Sequence, residues 1–160
     1  MTAASEALPP TPLPATRERL KTAVLVLLRL ALGAVLFYAG FLKLRSGYSF
    51  AETIANFRLM PAQANQILAV VLPWCEVCAG LLLFFGVWVR AGGLLATLFF
   101  ATFTAAILSA LARGLDIECG CFGTDAATRV GLRALVVDIL WLLAALAVLW
   151  LQPAARDSET

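Results

Sequence analysis

The sequence predicts an all-α integral membrane protein, a four-helix bundle with a short interfacial helix between its first and second spans. Two observations carry that prediction. Of the 160 residues, 62% are hydrophobic and only 14% are charged, where an ordinary soluble domain is about half apolar and about a quarter charged. A chain this short has no interior large enough for the excess, so its natural solvent is lipid. The apolar residues also gather into four stretches, each long enough to cross roughly 30 Å of hydrocarbon.

Residues 1–21 read as a flexible tail, because Pro9, Pro10, Pro12 and Pro14 oppose a helix, and Arg17, Arg19 and Lys21 mark the approach to the membrane. The first apolar run begins too late and continues too long for a cleavable signal peptide. The membrane domain then occupies residues 22–151, with a short polar tail at 152–160. Its first span runs from about Thr22 to Leu44. In Phe50–Pro61, residues Phe50, Ile54 and Phe57 share one helical face and Glu52, Asn56 and Arg58 lie elsewhere, the pattern of a short helix in the interface plane.

The second span runs from about Gln66 to Val89 and contains Pro73. Arg90 marks a tight turn into the third, Gly92–Ala112. There Gly93, Thr97, Ala101, Ala105 and Ser109 recur every fourth residue, a small-residue stripe read as helix packing. A polar loop from Arg113 to Arg129 precedes the fourth span, Val130–Leu151. Four spans put both termini on one side and the first and third loops on the other. The basic cluster before the first span favours a cytoplasmic N-terminus. Lys43, Arg45, Arg58, Arg113, Arg129 and Arg133 on the opposite flank nearly cancel that bias.

The net charge of +2 says little about partners, and no basic cluster suggests nucleic-acid binding. The sequence has no histidine, which removes the commonest general base and metal ligand, and every Cys/His nucleophile pair. Chemistry here must use cysteine, carboxylates, lysine or a bound cofactor.

All four cysteines fall in two motifs: Cys75 and Cys78 in PWCEVC, Cys119 and Cys121 in ECGCFG. Two intervening residues on a helix put Cys75 and Cys78 on neighbouring turns of one face, their Cβ atoms roughly 5–6 Å apart. Proline suits a first helical turn, so Pro73 predicts a helix start that places Cys75 near a thiolate-stabilising N-terminus. A Cys119–Cys121 disulfide would close a small strained ring of the kind that is easily reduced. Because the first and third loops share a side, both pairs are expected to approach the same membrane surface. Three uses fit two such pairs: thiol–disulfide exchange, a stable structural bridge, or soft-metal binding by thiolates.

Ionisable residues inside spans normally face the bundle interior with a partner. Glu76, between the two cysteines, is a candidate proton carrier for dithiol oxidation or a packing partner for Lys43. Arg29 and Asp138 enter from opposite faces and are expected to meet as an ion pair near mid-membrane. Trp74 and Lys43 are the candidate contacts for a cofactor; Trp74, Trp141 and Trp150 are rings able to line one or to anchor the interface.

At these motifs the sequence resembles the MauE-type methylamine-utilisation membrane proteins within the broader DoxX-like set. The matching features are Arg29 and Gly33 in RLALG, Ala39, Gly40 and Lys43 in AGFLKL, Pro73, Glu76 and Gly80 in PWCEVCAG, and CGCFG at 119–123. The last is the most specific. The resemblance implies a four-helix bundle in the bacterial inner membrane acting in extracytoplasmic thiol redox. For MauE it implies helping to mature a disulfide-rich periplasmic dehydrogenase beside a thioredoxin-like partner. By looser analogy of layout, the DsbB and vitamin K epoxide reductase families also pass electrons from thiols to a quinone in small helical bundles.

The resulting expectation is a membrane thiol–disulfide oxidoreductase. Cys119 and Cys121 exchange with a periplasmic thioredoxin-like protein or client, and Cys75 and Cys78 deliver the electrons to a membrane quinone, a cofactor no motif encodes. The alternatives are an outward conduit for reductant through the same cysteines, and a carrier or chaperone for a soft metal such as copper or mercury.

Overall fold

The computed structural model describes residues 15–46, 48–117 and 131–151. Over these residues the protein folds into five helices: α1 (Ala15–Ser46), α2 (Tyr48–Asn56), α3 (Ala62–Phe85), α4 (Val89–Ala112) and α5 (Leu132–Leu151). Four of them are long and apolar enough to cross a bilayer, over Glu18–Ser46, Ala62–Phe85, Val89–Ala112 and Leu132–Leu151. The protein is a multi-pass, all-α membrane bundle. Its helices close a ring: α1 packs on α3, α3 on α4, α4 on α5, and α5 returns to α1.

Close packing replaces the hydrophobic effect between helices in lipid, and α1 and α3 achieve it through glycine. A Cβ added at Gly80 would lie 2.7 Å from the Phe37 nitrogen and 2.8 Å from the Gly33 carbonyl oxygen. The two backbones therefore touch, and the axial register of α1 on α3 is fixed there. Leu32, Leu36, Ala79, Leu83, Ala96, Ala145 and Val148 fill the centre of the bundle. Gly86 ends α3 with φ 73°, its N–H bonded to the Leu82 carbonyl. Arg29 brings its guanidinium against this glycine, where a cation complements the negative end of the helix dipole.

The amphipathic reading of the first loop is borne out in α2, which buries Phe50 and, just past its end, Phe57. Glu52, Asn56 and Arg58 face outward. Arg113 clamps this end: its Nη2 donates to the Phe57 carbonyl at 2.6 Å and its Nε to the Ser109 carbonyl at 3.0 Å. One residue on, Gly114 takes φ 65° and turns the chain back. Leu115 and Ile117 then pack against a second cluster formed by Phe57, Ile107 and Ala110.

Several boundaries differ from expectation. The first helix begins at Ala15, directly after Pro14, so residues 15–21 are helical and not part of a tail. The turn between α3 and α4 lies at residues 86–88, and Arg90 belongs to α4. Pro73 lies inside α3 instead of starting it. The small-residue stripe of α4 is only partly a packing surface. Gly93 is buried against Leu149, but Ala101 and Ala105 are exposed. The reason is geometric: at 3.6 residues per turn, a four-residue repeat advances about 40° per step and spirals off any one face. The buried residues of α4 instead include Gly92, Ala96, Phe99, Phe100 and Ile107.

Candidate functional site

Every helix of the bundle contributes to one buried polar cluster. Lys43 near the end of α1 and Glu76 in the middle of α3 form an ion pair, Nζ to Oε1 at 2.5 Å, with each side chain only 1% exposed. The Lys43 ammonium also lies over two aromatic faces, 4.7 Å from the ring centre of Phe103 on α4 and 5.4 Å from that of Phe50 on α2. Cation–π contacts of this kind gain strength when water is excluded. On α5, the buried Asp138 accepts a 2.5 Å hydrogen bond from Thr104 Oγ1 of α4, and it lies within Coulombic reach of Lys43.

Two of the expected site residues meet in this arrangement. Glu76 is the packing partner of Lys43, and Asp138 belongs to the same cluster. The expected Arg29–Asp138 couple is replaced: Arg29 stands at the Gly86 end of α3, and Asp138 faces Thr104 and Lys43 well over a turn away along the bundle. Glu76 Oε2 is buried without a hydrogen-bond partner among the described residues. With one lysine and two carboxylates, the cluster holds more acid than base. In a membrane interior an unbalanced charge is costly.

Cys75 and Cys78 flank Glu76 on α3, both as free thiols. Cys75 is partly buried and packs against the central core; Cys78, one turn on, is exposed on the outer surface. Because α3 begins at Ala62, Cys75 stands about 20 Å along the axis from the helix start, at mid-helix. The expectation of a thiol at a helix N-terminus and at the lip of the bundle is therefore corrected. Pro73 lies inside α3 and does not begin it.

Trp74 is 57% exposed on the outer face of α3, while Trp141 stacks on Phe100 at 6.4 Å between ring centres. Cys119 and Cys121 lie outside the described residues. The chain leading to them does not: Leu115 and Ile117 have already turned back onto the bundle. Sequence reasoning missed Thr104, Phe50 and Phe103 as parts of the cluster. The only signal available was that a lysine buried in a span needs covering groups.

The chain is thus a multi-pass helical membrane protein that buries an ion pair between two spans and carries two thiols beside it. It belongs to the MauE family, whose model, described as methylamine utilisation protein MauE, matches residues 21–151. Three relatives bear the name methylamine utilization protein MauE. That of Methylorubrum extorquens is 35% identical over 114 residues, covering 71% of this chain and 61% of that protein. That of Paracoccus versutus is 32% identical over 136 residues, covering 83% and 72%, and that of Paracoccus denitrificans 29% over 133 residues, covering 82% and 72%. The chain thus spans about three fifths of the Methylorubrum protein. No solved structure matches.

Proposed function

We propose that this protein is a thiol–disulfide oxidoreductase of the bacterial inner membrane, with its N-terminus in the cytoplasm, serving the maturation of disulfide-containing periplasmic proteins. The relatives' name speaks of methylamine utilisation, and a disulfide-rich periplasmic protein of that process is the client class in this reading. The observation that carries the reading is the pair of thiols one turn apart in a membrane span, with the carboxylate Glu76 between them in sequence. Structural cysteines have no need of that arrangement.

The chemistry runs in three balanced steps. A dithiol of a periplasmic thioredoxin-like protein or client attacks the Cys119–Cys121 disulfide; one S–S bond breaks, one forms on the partner, and the loop is left as a dithiol. The loop dithiol attacks Cys75–Cys78 in the same way. The membrane dithiol then gives two electrons and two protons to a quinone, re-forming its S–S bond and yielding the quinol. In this reading Glu76, whose Oε2 has no hydrogen-bond partner among the described residues, holds a thiol proton in transit, and the direction of each exchange follows relative reduction potentials. Soft-metal carriage remains chemically sensible for thiolates. Stoichiometric metal in anaerobically purified protein, without any disulfide, would replace the redox reading.

A second reading gains from one observation. Cys75 and Cys78 stand at mid-helix, which supports a reading in which the same thiols pass reducing equivalents outward. Thiol trapping in cells separates the two. With quinone synthesis blocked, the oxidase predicts that wild-type cysteines accumulate as thiols, and that Cys78→Ser or Cys121→Ser traps a mixed disulfide with a periplasmic protein. Cysteines that stay oxidised without quinone would rule out the oxidase route and favour the outward conduit.

A further inference from the structure

We propose that the cleft between α2 and α3 binds one phospholipid with a primary-amine headgroup, a phosphatidylethanolamine of the surrounding bilayer. The cleft has a volume of about 640 Å³, within the range of about 300–1,000 Å³ that small-molecule sites occupy. Alanines make the room, Ala51 and Ala55 of α2 facing Ala62 and Ala69 of α3. Because α3 is a candidate span from Ala62 onward and α2 has the pattern of an interfacial helix, the cleft stands at headgroup level.

Three groups match the parts of such a headgroup. The first is the N-terminus of α3. Pro61 caps it without a side-chain hydrogen bond, and Ala64 and Asn65 are the first amides to donate, both to the Pro61 carbonyl. The amides of Ala62 and Gln63 stand before them at the positive end of the helix dipole, where a phosphate is favoured. The second group is independent of the helix end. Asn65 is only 6% exposed, it lines the cleft, and its side-chain amide makes no hydrogen bond to any described residue. A buried amide N–H left so lacks an acceptor, which a phosphate or ester oxygen provides. The third group sets the class of lipid. Glu52 is the charged residue of the lining, across the cleft on α2 and exposed. Its carboxylate repels a purely anionic headgroup and accepts hydrogen bonds from a primary ammonium.

The far end of the cleft suits acyl chains. Val70 belongs to the lining and is 62% exposed, and Trp74, one turn further, is 57% exposed, so the cleft opens sideways onto the outer face of α3. From Ala62 to Trp74 the helix rises about 18 Å, roughly one leaflet of a hydrocarbon core about 30 Å thick. A lipid with its phosphate at Ala62 therefore lies along α3 with its tails beside Val70 and Trp74, in the direction that tails take in a bilayer. The site needs no contact with Cys75 or Cys78, and it stands whether or not the redox reading does.

The test uses the full-length protein in nanodiscs of equal parts phosphatidylethanolamine, phosphatidylglycerol and phosphatidylcholine, with the lipids it retains on release identified by native mass spectrometry. The wild type is expected to keep one phosphatidylethanolamine in preference to either other lipid by about ten-fold, the low end of what a hydrogen bond to a charged group contributes. Glu52→Gln removes the charge at an exposed position and should bring the three lipids level. Ala55→Leu fills the cleft, also from an exposed position, and should abolish the retained lipid while circular dichroism shows native helix. Wild-type retention in proportion to the nanodisc composition overturns the assignment. So does a preference that persists undiminished in Ala55→Leu, or a preference for phosphatidylglycerol.

Discussion

Replacing Lys43 by methionine is expected to destabilise the protein by about 3–5 kcal/mol, the cost of leaving a buried carboxylate without its partner. Glu76 is 1% exposed and takes its one hydrogen bond from Lys43, so in the variant it meets only apolar side chains, with Asp138 nearby as a second acid. Glu76→Leu should cost a similar amount, because the Lys43 ammonium then keeps only ring faces and the field of Asp138. The double variant Lys43→Met/Glu76→Leu is expected to recover most of the loss, since a well-packed apolar pair of similar volume often replaces a buried ion pair without penalty. Unfolding of the purified protein in mixed micelles, followed by circular dichroism, gives all three values and the coupling between the sites. Single losses below about 1 kcal/mol, the range of exposed pairs, would mean that water reaches the pair and that the site is not sealed.

The second large effect is steric. Gly80→Ala places a methyl group 2.7 Å from the Phe37 nitrogen and 2.8 Å from the Gly33 carbonyl oxygen. Both are backbone atoms of α1, which cannot swing aside as a side chain would, so the helices must separate. Overpacking of this kind costs about 1–3 kcal/mol, and here it also pulls Lys43 away from Glu76. Gly93→Ala is the matched control. Its new Cβ would meet Leu149 at 3.6 Å, an ordinary contact, so it should be close to neutral. Equal losses in the two variants would show that the α1–α3 contact does not set the response, since helix propensity alone makes both substitutions stabilising.

Much of the bundle is legible in the sequence because its signals are one-dimensional. Hydropathy gives the number and length of the spans, and Phe50, Ile54 and Phe57 give α2 its buried side. Lys43 and Glu76 could be paired as candidates because each is an isolated charge in an apolar run. What the sequence conceals is axial register. Nothing in α1 or α5 says how far one slides along the other, so Arg29 and Asp138 looked like partners. The Gly33–Gly80 contact sets a register that sends Arg29 to the end of α3 and Lys43 toward Asp138. Pro73 misled for a related reason: in water it would mark a helix boundary, whereas in a bilayer the surrounding helices sustain the turn it weakens. The cysteines of CGCFG were legible as chemistry, but their spacing fixes no place in the fold.

The burial of Lys43 also bears on how the nascent chain enters the bilayer. When α1 emerges from the ribosome, its lysine has no acid to meet, because Glu76 follows 33 residues later. A lone ammonium resists leaving the interface, and the covering ring of Phe50 is also still to come. The first span is therefore expected to settle only once the next one arrives beside it, the two entering as an antiparallel hairpin that meets at Gly33 and Gly80. The later spans are then laid onto a finished seam.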